Sequence, residues 1–280
     1  MATYAFRILN VFARDGRLTG NPLCVFEDGR DLDDATLQAL ARQFNLSETT
    51  FILPSSKATA RVRIFTPGYE MPFAGHPTLG TAHVVRALKG GDRVTLEMKA
   101  GVIPVEAAGD VWTLGANRPR WREVSESRAD LAAVLGLEPG DLAERPLWVN
   151  AGKEQLLVPV ASPQAVRRAR PRADAFSRLK SEDGQSMACV FSDAGDAAGT
   201  VESRFFFPSG AAILEDPATG SACANLGGWF CALRPGARIE RVVSQGEAVS
   251  RPSTLRLAVR DGAIFVGGRV IELGRGTLEP

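Results

Sequence analysis

Apolar and polar residues alternate through YAFRILNVFA near the start of the chain, the period-two pattern of a strand with one face in a core. GNPLCVFED predicts a second strand, and DDATLQALARQFNL sets Leu37, Leu40, Ala41 and Phe44 at helical spacing behind an aspartate cap. ETTFILP and ATARVRIFTP read as two more strands. A Pro/Gly loop follows, and then the small-residue run GTAHVVRAL, which reads as the start of a buried helix. DRVTLEMKAGVIPVEAAGDVWTLGA predicts three short strands separated by turn residues. The polar, proline-containing stretch NRPRWREVSES at 117–127 is the best linker candidate. Beyond it the order recurs: a helix in RADLAAVLGL, strands in RPLWVNAG and EQLLVPVA, a helix near 163–180, and strands in MACVFSD and SRFFFP. A second loop and helix follow, then a strand meander whose last member, AIFVGGRVIEL, is a candidate to cross back to the first half.

The recurrence is also written in the letters. RIFTPGYEMPFAGHPTLGTA at 63–82 has a worn copy in RFFFPSGAAILEDPATGSA at 204–222. One gap pairs Arg63 with Arg204, Phe65 with Phe206, Pro67 with Pro208, Pro77 with Pro217, Gly80 with Gly220 and Ala82 with Ala222. This points to a duplicated domain, with boundaries at 1–118 and 119–267 and the strand near 268–280 a candidate addition to the first half. A helix N-terminus carries unpaired N–H groups and a partial positive charge. Two loop-to-helix junctions related by a pseudo-twofold axis would therefore make an anion cradle in a cleft, with His76 and Asp216 facing each other across it.

Composition narrows the class. At 280 residues, with 45% apolar and 23% charged side chains, the chain has the make-up of two ordinary globular domains. A net charge of +1 offers no field for nucleic acid or a membrane surface, and RRARPR at 167–172 reads as a solvated helix end. No apolar run approaches the ~18 residues of a membrane span, and no leader pattern is present, so a cytoplasmic protein is expected. Cys24, Cys189, Cys223 and Cys231 stand apart without CxxC spacing, as buried thiols do. The two histidines, His76 and His83, are seven residues apart and lack a metal-ligand set.

GNPLCVF, ETTFILP, RIFTPGYEMPFAGHPTLGTA, EDPATGSA and QGEAVSRPS, in that order along nearly the whole chain, resemble the motif series of the PhzF phenazine-biosynthesis family. The resemblance implies a diaminopimelate-epimerase-like α/β (α+β) fold. Two pseudo-twofold-related domains would each curl a mostly antiparallel sheet around a central helix, usually in a homodimer. It implies isomerisation of a compound such as trans-2,3-dihydro-3-hydroxyanthranilate, with no cofactor and no metal. By the same resemblance the acid/base falls on Glu48 of NLSETTF, with His76 and Asp216 as its partners. Substrate contacts fall on Gly75, Pro77, Gly220 and Ser221. One departure is visible: Ser250 stands where the family's GRPS has glycine.

The residue types suit that chemistry. One carboxylate can take a proton from one carbon and return it to another if water is excluded and its pKa is raised. His76 could donate to a substrate oxygen, and Asp216 could hold an amino group or tune Glu48. Related racemases use a thiol in each half, at positions falling near Ala74 and Pro217; neither is cysteine. The expected partner is a small carboxylate, not a nucleic acid or a membrane. A non-catalytic binding member of the same fold, or an epimerase of an unrelated substrate, is the other class this sequence allows.

Overall fold

The computed structural model describes residues 2–143, 145–195 and 199–280. The chain divides into two units, Met1–Gly115 with Gly267–Pro280, and Ala116–Val266. In the first, β1 (Tyr4–Val11), β2 (Asn21–Phe26), α1 (Asp34–Phe44), β3 (Thr49–Leu53), β4 (Ala60–Phe65) and β5 (Glu70–Met71) precede the helix α2 (Gly75–Lys89). Then come β6 (Arg93–Met98), β7 (Gly101–Ala108) and β8 (Val111–Gly115). The second unit contains β9 (Arg120–Glu123), α3 (Arg128–Val134), β10 (Leu147–Asn150), β11 (Glu154–Pro159), α4 (Pro163–Arg168), α5 (Ala173–Phe176), β12 (Ala188–Asp193), β13 (Thr200–Ser209) and β14 (Ala212–Asp216). It continues with α6 (Gly220–Leu233), β15 (Ile239–Gln245), β16 (Ser253–Arg260) and the start of β17 (Ala263–Leu278). Past residue 266 the same strand belongs to the first unit, where it runs antiparallel to β1 with Tyr4 opposite Leu278.

Strand pairing proves the duplication. In the first unit β2 and β3 are parallel, β3 and β4 antiparallel, β4 and β5 antiparallel, and β4 and β6 parallel. In the second, β11 and β12 are parallel, β12 and β13 antiparallel, β13 and β14 antiparallel, and β13 and β15 parallel. Each unit wraps its sheet on one helix whose first two turns are buried on nearly every side, as a central helix must be. Residues 76–82 of α2 and 222–230 of α6 are all buried. Glycine permits the close approach: a Cβ on Gly80 would lie 2.4 Å from Leu23 Cδ2, and one on Gly228 2.6 Å from Val149 Cγ1.

The repeat reaches the side chains. Arg63 holds Glu70 through Nε and Nη2 at 2.9 and 2.8 Å while its guanidinium lies 5.0 Å from the Phe65 ring centre. Arg204 holds Glu215 through Nε and Nη2 at 3.2 and 2.6 Å and lies 4.8 Å from the Phe206 ring centre. Phe65 faces Glu70 across the first hairpin and Phe206 faces Glu215 across the second.

Three expectations are corrected. The second hairpin is four residues longer, since Phe206 and Glu215 are nine positions apart and Phe65 and Glu70 five. Each helix nevertheless begins five residues after its glutamate, at Gly75 and Gly220. The counterpart of His76 is therefore Ser221, that of Asp216 is Met71, and that of Gly80 is Asn225; the glycine–proline alignment slid along the loop. The supposed linker at 117–127 contains β9, whose Arg120–Glu123 pair with Leu147–Asn150 of β10. The helix expected near 163–180 is two short ones: α4 ends at Arg168, with Ala169 already out of the helical region at ψ 126°, and Pro171 disfavours the α conformation at Arg170. Among the described residues, no helix is long and apolar enough to cross a membrane.

Candidate active site

In the first unit, Glu48 lies in the turn between α1 and β3. Asp33 caps α1 by accepting from the Thr36 N–H at 2.8 Å, and Asn45 ends it in the left-handed conformation, φ +51°. The chain then turns directly into β3. One residue inside that strand, Thr50 Oγ1 is 2.8 Å from Thr81 Oγ1, a buried hydroxyl pair that registers β3 against α2. This brings Glu48 to the first turn of α2, where its Oε2 is 3.4 Å from His76 Nε2.

The Glu48 side chain keeps 15% of its surface exposed, yet Oε2 is sealed and makes no hydrogen bond among the described residues. Burial raises its pKa from 4.5 to about 7, against a smaller lowering by a hydrogen bond from Ser47. A buried carboxyl with so little hydrogen bonding costs stability, and a carboxyl in such surroundings is a candidate for proton transfer. The α2 N-cap, Ala74, supplies no side-chain bond. Pro77 has no N–H, and the Thr78 N–H is taken by Ala74 O at 3.2 Å.

In the second unit, Asp216 ends β14, and Thr219 donates its hydroxyl to Asp216 Oδ2 at 2.5 Å. That donation leaves α6 without a side-chain cap, although α1, α3 and α4 are capped by Asp33, Ser127 and Ser162. Gln245, at the end of β15 and 2% exposed, ties the turn together. Its Nε2 donates to Asp216 O at 2.7 Å and to Thr219 Oγ1 at 3.0 Å, while its Oε1 accepts from the Thr219 N–H at 3.2 Å. Gly246 then packs against the same turn with φ +86°, so close that a Cβ would lie 2.5 Å from Pro217 O and 2.3 Å from Arg251 O. Ser221, the second residue of α6, accepts from Gln155 Nε2 at 2.8 Å.

Glu48, His76, Gly75 and Pro77 thus form one cluster in the first unit, and Asp216, Gly220 and Ser221 another in the second. The QGEAVSRPS motif carries Gln245 and Gly246, but residue pattern assigns neither a task; only the hydrogen bonds do. The thiols stand apart from both clusters in chemistry. Burial pushes the Cys189 thiol up to about 12 and raises Cys24 and Cys223 further. His83, whose ring sits 6.2 Å from that of Trp112, is held below its ordinary pKa by burial. Among the described residues no His, Cys, Asp or Glu cluster could hold a metal.

The sequence matches the model of the phenazine biosynthesis-like (PhzC-PhzF) family over residues 9–271. The chain belongs to that family. Among its relatives is a trans-2,3-dihydro-3-hydroxyanthranilate isomerase of Pseudomonas aeruginosa, 35% identical over 90% of this chain and 89% of the other. An uncharacterised isomerase of Pasteurella multocida is 35% identical over 99% and 95%. The Bacillus anthracis PhzF-family structure is matched with a TM-score of 0.89 over 100% of both chains at 24% identity. An Agrobacterium vitis hydroxyproline epimerase is matched at 0.61 over 99% of this chain and 92% of that one, at 12% identity. These two likenesses speak for the epimerase-like fold alone.

Proposed function

We propose that the chain is a cofactor-independent isomerase that moves a proton between carbons of a small cyclic or amino-substituted carboxylic acid. The carrying observation is Glu48: a sealed carboxyl raised to about 7, 3.4 Å from His76, in a family whose relatives are named isomerases. As carboxylate it takes a proton from one carbon; the released electron pair shifts through the neighbouring double bond; the neutral acid returns the proton to the carbon at the far end. A pKa near working pH lets one group serve both steps. His76 is assigned a substrate oxygen and Asp216 the amino group. Gly75, Pro77, Gly220 and Ser221 are assigned to substrate contact, and a helix start favours a carboxylate.

The N-cap residues Ala74 and Thr219 argue against the thiol-pair chemistry of related racemases, as do thiols held protonated by burial. A cytoplasmic homodimer is part of the same proposal; the four free cysteines favour a reducing compartment, and light scattering reads the dimer.

The test is incubation with trans-2,3-dihydro-3-hydroxyanthranilate and a panel of small carboxylates in deuterium oxide, followed by mass spectrometry. Isomerised product is expected without nicotinamide, flavin, pyridoxal phosphate or metal, and after treatment with a thiol reagent, with solvent deuterium at the new C–H in the fraction of turnovers in which the Glu48 proton exchanges before it is returned. Tight binding of a carboxylate with no exchange into any of them would favour a binding protein instead.

A further inference from the structure

We infer that Asn225 and Gln155 are positioning residues, forming a relay that commits the Ser221 hydroxyl to donate a hydrogen bond toward a carboxylate oxygen of the ligand. The inference rests on the reading of Ser221 as a ligand-facing residue.

The direction of every bond in the relay follows from its far end. Asn225 Oδ1 is 2.7 Å from the Ala151 backbone nitrogen, and Asn225 Nδ2 is 2.8 Å from the Lys153 backbone oxygen. A backbone N–H only donates and a carbonyl only accepts, so the Asn225 amide has one possible orientation. Its second amide hydrogen goes to Gln155 Oε1 at 2.8 Å. Gln155 is fixed in turn, and its Nε2 faces Ser221 Oγ at 2.8 Å. An amide nitrogen cannot accept, so the serine oxygen must. The single hydroxyl proton is left to point away from Gln155, and among the described residues no side chain or carbonyl takes it.

The location gives this polarity a use. Asn225 and Gln155 are each 1% exposed, while Ser221, on the first turn of α6, stays partly exposed. Asn225 is the one polar residue in an otherwise apolar stretch of buried positions from 222 to 230. A polar side chain there costs free energy unless its bonds are all made, and its counterpart in the first unit, Gly80, carries no side chain. The second unit has therefore put an amide in its core where the first has none, and the amide's last consequence is a hydroxyl proton aimed outward at a helix start that favours negative charge. A ligand offering an acceptor oxygen fits it; one offering N–H at that point meets a donor.

The experiment uses 2-aminobenzoate as probe, with Ser221→Ala, Gln155→Met and the double variant, read by titration calorimetry. A hydrogen bond to a charged acceptor is worth about tenfold to a hundredfold in affinity. Ser221→Ala should lose that factor. In the Gln155→Met background the hydroxyl is no longer aimed, so the same Ser221→Ala change should cost only about twofold to threefold. Equal losses from Ser221→Ala in both backgrounds, with melting temperatures unchanged, would overturn the relay while leaving the functional reading intact. Failure of the wild-type protein to bind any small carboxylate would overturn that reading and the ligand assignment with it. Side-chain amide resonances test the relay without a ligand. Ser221→Ala should shift the Gln155 NH2 pair and leave the Asn225 pair slow to exchange; a Gln155 pair that does not move would sink the relay, whatever the variants do to binding.

Discussion

Replacing Glu48 by Gln should make the protein more stable in mild alkali while taking away its turnover. The folded-state pKa of Glu48 is raised from 4.5 to about 7 by burial. A raised carboxyl contributes its full stability below pH 4.5, where both states are protonated, and loses it as pH climbs through 7. Between those values the folded chain holds one proton more than the unfolded chain, so stability falls with rising pH. At 1.36 kcal/mol per pKa unit the total is about 3 kcal/mol, an upper figure because one side of the carboxyl meets solvent. The wild type should therefore lose up to about 3 kcal/mol between pH 5 and 8.5 from this group. Glu48→Gln, isosteric and never charged, should lose none of it. Urea unfolding of both proteins at the two pH values measures the difference directly. Turnover runs the other way: kcat/KM of the wild type should rise with pH through about 7 as the base deprotonates, and the Gln variant should fall by about 10²–10⁴-fold with little change in affinity. A Gln variant no more stable than wild type at pH 8.5 would refute the buried-carboxylate argument. Near wild-type turnover would remove Glu48 from the chemistry.

Three further outcomes follow from packing and backbone geometry. Gly246→Ala places a Cβ 2.3 Å from Arg251 O at a φ of +86°, so it should cost more than about 2 kcal/mol and loosen the 216–219 turn, visible as a lower melting temperature and weaker carboxylate binding. Ser250 holds φ +56°, a conformation glycine adopts freely; Ser250→Gly should be neutral to stabilising by up to about 1 kcal/mol in thermal melts. Glu215→Ala strands the Arg204 guanidinium, 8% exposed, and should cost about 3–5 kcal/mol by denaturant unfolding, whereas loss of the exposed Arg172–Asp174 pair should be barely measurable.

Much of the fold was legible because it is periodic. The apolar spacing and aspartate cap of α1, the alternation in β1 and β4, and the doubled Arg-x-Phe strand each announce themselves within ten residues. The errors arose where local chemistry misdirects. β9 is RWRE, with Trp121 47% exposed, and an edge strand of that composition has no alternation to betray it. The two hairpins differ in length, so matching prolines and glycines drew the alignment away from the helix starts, where the real equivalence is His76 with Ser221. Glu48, His76 and Ser221 were reachable only through motifs, since a lone acid at a strand start looks the same whether solvated or sealed. Gln155, Asn225 and Gln245 were beyond reach: neutral amides joined to partners 26 to 74 positions away leave no spacing to count.

The pairing of β1 with β17 also sets a timetable for synthesis. Arg7, 6% exposed, has one carboxylate partner in Glu27 and another in Glu272, 265 residues later. At about 5–20 residues per second, roughly ten seconds to a minute separates the emergence of that arginine from the arrival of its second partner. During that interval β1 pairs with β2 on one side only and offers a bare strand edge on the other, the kind of edge that recruits neighbouring chains. The second unit, a continuous stretch from 116 to 266, needs no later residue to close. On the ribosome the later-made half is the one free to finish first, and the earlier half waits for the end of the chain.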